Sequence, residues 1–291
     1  MRYAFSMRIT LILLVVPMLG AALAVAPNAT RDVAIIAHRG ASWDAPEHTF
    51  AAWDLALEQG ADWIEQDLQL TSDGVLVVFH DDSLDRTARG TSCSGRLRER
   101  TLAELRGCEV GSWFNAEYPD RARASYVGAE IPTLDSVLTR YAGRARFYIE
   151  TKHPDEAPGM EDALLLLLRK HRLVGEESSA DTGRVIVQSF SRSSLARLRE
   201  LAPMIPLVLL IEDPIPADEL EGALIEIARY AIGIGPARSL VNARLVAAAH
   251  KAGLVVHPYT VNEPATMRWM LSLGVDGMFT DRPGELAQLR R

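Results

Sequence analysis

Cysteine is scarce in this chain: its 291 residues include only two, Cys93 and Cys108. Two thiols cannot build a thiolate-only zinc site, which takes four. Positive charge is also in deficit, with Lys+Arg 31 against Asp+Glu 38 and a formal net charge of −7. The broad basic footprint that nucleic-acid binding needs is therefore missing. Any anionic ligand must be held by local cationic groups or by a metal. No three-glycine spacing precedes a helix, so Gly233-Ile234-Gly235-Pro236 is not a dinucleotide fingerprint. Beyond the N-terminus, no apolar run of membrane-spanning length escapes a charge or a turn signal. The stretch 164–168, for example, is bracketed by Glu161, Asp162, Arg169 and Lys170.

What is present starts with an N-terminal targeting segment. Arg2 and Arg8 precede an uncharged, mostly apolar run over 9–26 that ends in small residues. This is the pattern of a signal peptide over 1–24, cleaved after Ala24. Cutting after Ala26 is hindered by Pro27. The expectation is an exported protein, periplasmic or secreted, with no stable membrane insertion once the signal is removed. In an oxidising compartment the even cysteine pair is expected to form a disulfide. The loop it closes is about 15 residues, worth about 3 kcal/mol in the chain-entropy model.

The mature chain, 25–291, reads as one domain. Its hydrophobic content of 48% is ample for a single large core. Strands are predicted over 33–38, 63–70, 75–80, 146–151, 184–189, 207–211, 231–234, 254–259 and 277–279. Helices are predicted over 49–59, 101–105, 133–141, 159–171, 193–201, 217–228, 242–251 and 263–273. Repeated strand–helix units imply an α/β fold with a parallel sheet. Nine strands are one more than an eight-stranded barrel needs. The Asp73-Gly74 turn signal makes 63–70 and 75–80 a hairpin, which supplies the surplus strand. An open doubly wound sheet is the alternative. The weakly patterned segment after the third strand, about 85–132, reads as a small insertion carrying both cysteines.

Ionisable residues gather at strand ends. His38 and Arg39 end the first strand, Glu65 and Asp67 lie in the second, His80 ends the third, and Glu150 and Lys152 end the fourth. The C-terminal strand ends of a parallel barrel are where catalysis is built. Glu65 and Asp67 are two apart, so both carboxylates point to one face. Together they are costly to desolvate and repel each other, and a cation relieves both problems. Glu65, Asp67 and Glu150, without a nearby thiolate, describe an oxygen-ligand site for one divalent metal, Ca²⁺ or Mg²⁺. A two-residue turn at Asp73-Gly74 would set Asp67 opposite His80. Such a set suits a phosphodiester. Arg39 and Lys152 can hold the phosphoryl group, and His38 and His80 can act as general base and acid. His153, His171, His250 and His257 lack such company and read as structural or surface residues.

These residues occur within an ordered series of motifs. His38-Arg39-Gly40-Ala41, Pro46-Glu47-His48-Thr49, Glu65-Gln66-Asp67, Thr71-Ser72-Asp73-Gly74, His80-Asp81 and Asp85-Arg86-Thr87 come first. Ile149-Glu150-Thr151-Lys152, Gln188-Ser189-Phe190, Thr260-Val261-Asn262 and Thr280-Asp281 follow. The series resembles the glycerophosphodiester phosphodiesterase family from about residue 35 to 283. That resemblance implies a (β/α)8 TIM barrel. It also implies metal ligands at Glu65, Asp67 and Glu150, an acid/base pair at His38 and His80, and phosphate contacts at Arg39 and Lys152. Glu47 falls in the family's active-site motif, and Tyr259 stands where an aromatic residue faces the glycerol. The implied reaction is hydrolysis of a small glycerophosphodiester to glycerol 3-phosphate and an alcohol through a cyclic phosphate. Two positions depart from the family pattern: His48 replaces the usual Asn, and Tyr259 replaces a frequent Trp. A lysophospholipase D or sphingomyelinase D activity is the alternative, with Trp43, Trp113 and Phe114 as candidates to line an acyl-chain mouth.

Overall fold

The computed structural model describes residues 33–175 and 182–290. The expected signal segment, 1–24, and its cleavage site lie outside them. Among the described residues, nine strands form one sheet: β1 (Ala34–Ala37), β2 (Trp63–Leu70), β3 (Leu76–Val78), β4 (Phe147–Thr151), β5 (Val185–Ser189), β6 (Leu207–Ile211), β7 (Gly233–Pro236), β8 (Val255–Val256) and β9 (Gly277–Thr280). The order is β8-β7-β6-β5-β4-β2-β1-β9, with β3 attached to β2 alone. Every pair on the main path is parallel, and β2–β3 is antiparallel. The two ends of this path meet. Asp276 N–H donates to Val256 C=O at 3.0 Å, and Phe279 N–H donates to Pro258 C=O at 3.0 Å. The fold is thus the expected eight-stranded parallel barrel with helices, and β3 is the surplus hairpin arm.

The helices are α1 (Phe50–Glu58), α2 (Leu102–Leu105), α3 (Ser112–Glu117), α4 (Leu134–Tyr141), α5 (Met160–Lys170), α6 (Arg192–Leu201), α7 (Leu220–Ala228), α8 (Ala243–Lys251), α9 (Pro264–Leu273) and α10 (Pro283–Leu289). Side-chain caps start five of them: Thr49, Thr101, Thr133, Ser191 and Asn242 each accept a backbone N–H three residues on. The sequence patterns missed α3 and α10. Helix α3 has no capping side chain at Gly111. The Glu109 carboxylate takes its first free N–H groups instead, from Gly111 at 3.0 Å and Ser112 at 2.9 Å. Helix α10 begins on Pro283, a residue suited to the first helical position. No helix among the described residues is long and apolar enough to cross a membrane.

Strand alternation divides the core in two. Ile35, Ala37, Ile64, Leu68, Phe147, Ile149, Val187 and Leu207 pack outward into the layer between barrel and helices. Ile36, Tyr148, Ile186, Val208 and Phe279 form a separate cluster inside the barrel. That inner plug excludes water beneath the mouth, where the inward positions become polar: Glu65, Asp67, Glu150 and Gln188.

The hairpin register differs from the expected one. Leu68 faces Val78 and Leu70 faces Leu76, while Thr71 N–H donates to Val75 C=O at 3.0 Å. The turn therefore has three residues, Ser72-Asp73-Gly74, rather than two. Gly74 takes the left-handed conformation (φ 79) that three-residue hairpin loops use. Asp67 consequently lies opposite Phe79, whose N–H donates to the Asp67 carbonyl at 2.9 Å. His80 is not its cross-strand partner.

Between β3 and α4 the chain makes the expected excursion. It has its own small core of Phe79, Leu84, Leu97, Leu105, Val110 and neighbours. Cys93 and Cys108, in that core, are disulfide-bonded. Trp113 and Phe114 pack with Tyr126, Ala45 and Ala52. They do not line an open acyl-chain mouth, and only Trp43 of that proposed trio is exposed.

Candidate active site

A cavity of about 570 Å³ opens at the C-terminal ends of the strands. His38, Arg39, Glu65, Asp67, His80, Glu150, Lys152 and Tyr259 all line it. Glu47 does not, and it sits beside the cavity on Arg39 at 3.1 Å. Apart from the cysteine pair, whose place is the excursion, the expected site residues are therefore brought together. His153, expected to be structural or surface, also lines the cavity, 3.4 Å from Asp82.

Parallel register assembles the acidic cluster. Asp67 on β2 is the direct neighbour of Glu150 on β4, and Glu65 lies two positions along. All three are buried. Burial raises the Glu65 pKa well above the usual carboxylate range, and the charges of Asp67 and Glu150 add to it. Burial and the Asp67 charge push Glu150 up to about 8, against the pull of Lys152 at 3.1 Å. Asp67 goes the other way. Burial opposes its ionisation, but a hydrogen bond from His48 and the charges of Lys152 and Arg39 hold it well below the ordinary range.

Buried carboxylates that repel one another this strongly fit a cation. The oxygen-only set of Glu65, Asp67 and Glu150 suits a hard divalent ion. His48, Glu65 and Asp67 also present ligand atoms within 4.8 Å of one another. His48 Nε2–H, however, donates to Asp67 Oδ2 at 2.8 Å, so this buried imidazole is spent on orienting the carboxylate. Burial first of all lowers its pKa, which favours the neutral ring. Backbone holds the cluster as well: Arg39 N–H donates to Glu65 Oε2 at 2.7 Å. From behind, Trp53 Nε1–H donates to the Glu65 carbonyl at 3.1 Å.

His38 and His80 each have an aspartate on Nδ1. His38 donates to Asp281 at 2.7 Å, and His80 donates to Asp81 at 2.6 Å. These bonds set the tautomer and leave Nε2 to the cavity. Asp281 is fixed in turn by Ser42 at 3.0 Å, Asn262 Nδ2–H at 2.5 Å and its own N–H on Asn262 Oδ1 at 2.9 Å. Burial works against its charge, yet His38, with Asn262 and Ser42, holds it down at about 2. Asp81 is fixed by Arg86, whose Nε–H donates to Oδ2 at 2.5 Å. Arg86 also forks onto Glu47, at 2.8 and 2.7 Å. Sequence reasoning assigned no role to Asp81, Arg86, Asn262 or Asp281. The available signal was a carboxylate adjacent to His80 and another at the end of the last strand.

Opposite the carboxylates, Tyr259 meets Phe190 edge-on at 5.9 Å between ring centroids and forms an aromatic wall. The Tyr259 hydroxyl donates away from the cavity centre, to the Ile211 carbonyl at 3.3 Å.

The sequence model of the glycerophosphoryl diester phosphodiesterase family matches residues 38–285. A glycerophosphodiester phosphodiesterase of Bacillus subtilis (strain 168) is 46% identical over 248 residues, covering 85% of this chain and 83% of that one. Among solved structures, an Oleispira antarctica phosphodiesterase in complex with the product sn-glycerol-3-phosphate is similar at a TM-score of 0.74 and 28% identity. That similarity covers 88% of this chain and 95% of the other. A glycerophosphodiester phosphodiesterase from Agrobacterium tumefaciens gives a TM-score of 0.69 at 32% identity, covering 88% and 99%. A barrel mouth of this composition, a family match over most of the described chain and a relative at 46% identity agree: this chain belongs to the glycerophosphoryl diester phosphodiesterase family.

Proposed function

We propose that this phosphodiesterase converts small glycerophosphodiesters to glycerol 3-phosphate and an alcohol, with one divalent cation, Ca²⁺ or alternatively Mg²⁺, on Glu65, Asp67 and Glu150. The observation that carries the reading is the pairing of two aspartate-held histidines with a buried three-carboxylate cluster in one cavity. When bound, the cation supplies charge neutralisation at a non-bridging phosphate oxygen. Arg39 and Lys152 add positive charge at the same place, Arg39 through a planar fork and Lys152 as a point charge. Tyr259 and Phe190 give the glycerol carbons an apolar wall.

The histidines then divide the proton work. One Nε2 takes the proton of the substrate's own glycerol hydroxyl as that oxygen bonds to phosphorus. The other protonates the departing alcohol oxygen as its bond to phosphorus breaks. Water opens the resulting cyclic phosphate with the two roles exchanged. That Asp281 and Asp81 fix the rings of His38 and His80 supports this division. Pure protein with glycerophosphocholine and Ca²⁺ or Mg²⁺ should release glycerol 3-phosphate, measured enzymatically. His38→Ala or His80→Ala should abolish release with the fold retained. No release by the unaltered protein with any divalent metal would overturn the reading. A lysophospholipase D or sphingomyelinase D activity draws less support, since Trp113 and Phe114 are packed inside the excursion. The N-terminal segment, together with a disulfide, supports export to the periplasm or beyond. Sequencing of the extracytoplasmic protein should begin at Val25.

A further inference from the structure

Arg86 lies outside the catalytic cavity, yet it spends its guanidinium on two groups next to it. Its Nη1 and Nη2 fork onto Glu47, in the loop between β1 and α1 that also carries His38 and Arg39. Its Nε and Nη2 hold both oxygens of Asp81, at 2.5 and 2.9 Å. Asp81 in turn takes the Nδ1 proton of His80. One side chain therefore ties together the loops that carry the two histidines. Bidentate geometry on two carboxylates fixes orientation in a way a point charge cannot.

The excursion holds Arg86 in place. Trp113 of α3 stacks on the guanidinium, its ring centroid 5.7 Å from Cζ. Trp113 is itself anchored by its Nε1–H on the Val110 carbonyl at 2.8 Å. Just beyond Arg86, Arg89 and Glu109 exchange backbone hydrogen bonds at 2.8 and 2.9 Å. The Cys93–Cys108 disulfide closes the same pair of segments. A second brace runs to the other histidine loop. Arg121 stacks on the Trp43 ring at 4.4 Å and hydrogen-bonds the Trp43 carbonyl. Trp43 N–H donates to the carbonyl of Asp281, the residue that holds His38.

We propose that Arg86 is a positioning residue through which the excursion sets the orientation of His80, by way of Asp81. The two histidines are held by different means. Asp281 is fixed by hydroxyl, amide and backbone donors close to the barrel, whereas Asp81 depends on a guanidinium supported by the excursion. Arg86 is 44% exposed on its side chain, so a small ion can reach the space it would leave.

This proposal rests on the phosphodiesterase reading, and turnover of glycerophosphocholine by the unaltered protein checks that reading separately. With Arg86→Ala, kcat should fall about 10- to 100-fold, the size expected when a reacting group is misplaced by about 1 Å, while KM changes less than about threefold. Guanidinium ion at sub-denaturing concentration should restore part of kcat in Arg86→Ala and none in Asp81→Ala. The double variant should be no slower than Asp81→Ala alone. Calorimetric Ca²⁺ affinity should stay within about threefold of the unaltered protein, because Arg86 touches none of the three carboxylates. If Arg86→Ala does not fold, Arg86→Lys, which keeps the charge and loses the fork, should show an intermediate loss of kcat. Independently of any substrate, the downfield His80 Nδ1 proton, identified by its loss in His80→Asn, should disappear from the NMR spectrum of Arg86→Ala or Arg86→Lys. An unchanged kcat, a loss that guanidinium does not rescue, or persistence of that proton would overturn the proposal.

Discussion

Metal binding to this protein should release protons at neutral pH, and the amount follows from the carboxylate cluster. Glu150 is pushed up to about 8 by burial and by the Asp67 charge, and Glu65 is raised well above the carboxylate range by burial and by both neighbours. Asp67 stays ionised on His48, Lys152 and Arg39. At pH 7 the metal-free cluster therefore pairs an ionised Asp67 with a mostly protonated Glu150, and burial and both neighbouring charges bias Glu65 toward its protonated form. A group with a pKa near 8 is about nine-tenths protonated at pH 7, so cation binding should expel about one proton from Glu150, with any proton on Glu65 adding to the count. Below pH 8, affinity should then rise about 10-fold or more per pH unit. Isothermal titration of the metal-free protein with Ca²⁺ at pH 7, in buffers of small and large ionisation enthalpy, reads the proton count as the slope of observed against buffer enthalpy. Glu150→Gln should lower that count by about one. A slope of zero in the unaltered protein would refute the electrostatic argument, because the cluster would already be fully ionised without its cation.

The same groups fix how metal-free stability depends on pH. A carboxyl with a raised folded pKa keeps its proton where the unfolded chain has lost it. The contribution of these two carboxyls to the stability of the metal-free protein should therefore fall as pH rises from about 4.5 to about 8, and saturating Ca²⁺ should remove that part of the pH dependence. Thermal melts with and without Ca²⁺ across that window measure it.

Two further outcomes test other parts of the structure. Burial opposes the charge of Glu47, but Arg86 and Arg39 hold its pKa down at about 2, so its contribution is present above about pH 4.5 and lost as pH falls toward 2. Chemical denaturation should find Glu47→Gln less stable by about 3 kcal/mol at pH 7, with the gap to the unaltered protein closing by pH 2. Gly111→Ala would set a Cβ 1.7 Å from the Tyr126 carbonyl oxygen, so α3 must move. It should cost more than about 2 kcal/mol, while Gly143→Ala, with open space around it, should change stability by less than about 1 kcal/mol.

How far the sequence revealed this site depended on the distance over which its signals act. The barrel was legible because its strands are short apolar runs between capped amphipathic helices, and all nine strands lie where the patterns put them, within a few residues at their ends. Glu65 with Asp67, and Glu150 with Lys152, were legible for a local reason: a spacing of two on a strand fixes a shared face whatever the tertiary structure. The hairpin register was not, since Ser72-Asp73-Gly74 suits a three-residue loop as well as Asp73-Gly74 suits a two-residue one. His80 reaches the cavity even so, because β3 ends at Val78 and frees the chain from strict alternation. The groups that orient the histidines were hidden for a different reason. Asp281 lies 243 residues from His38, and Glu47 lies 39 from Arg86, so no periodicity connects them. They are neighbours only because β9 pairs with β1 and because the excursion folds back over the β1 loop. A short-range pattern can therefore name the groups that react. The groups that hold them still are set by barrel closure and by the packing of an irregular segment, and both appear only once the chain has folded.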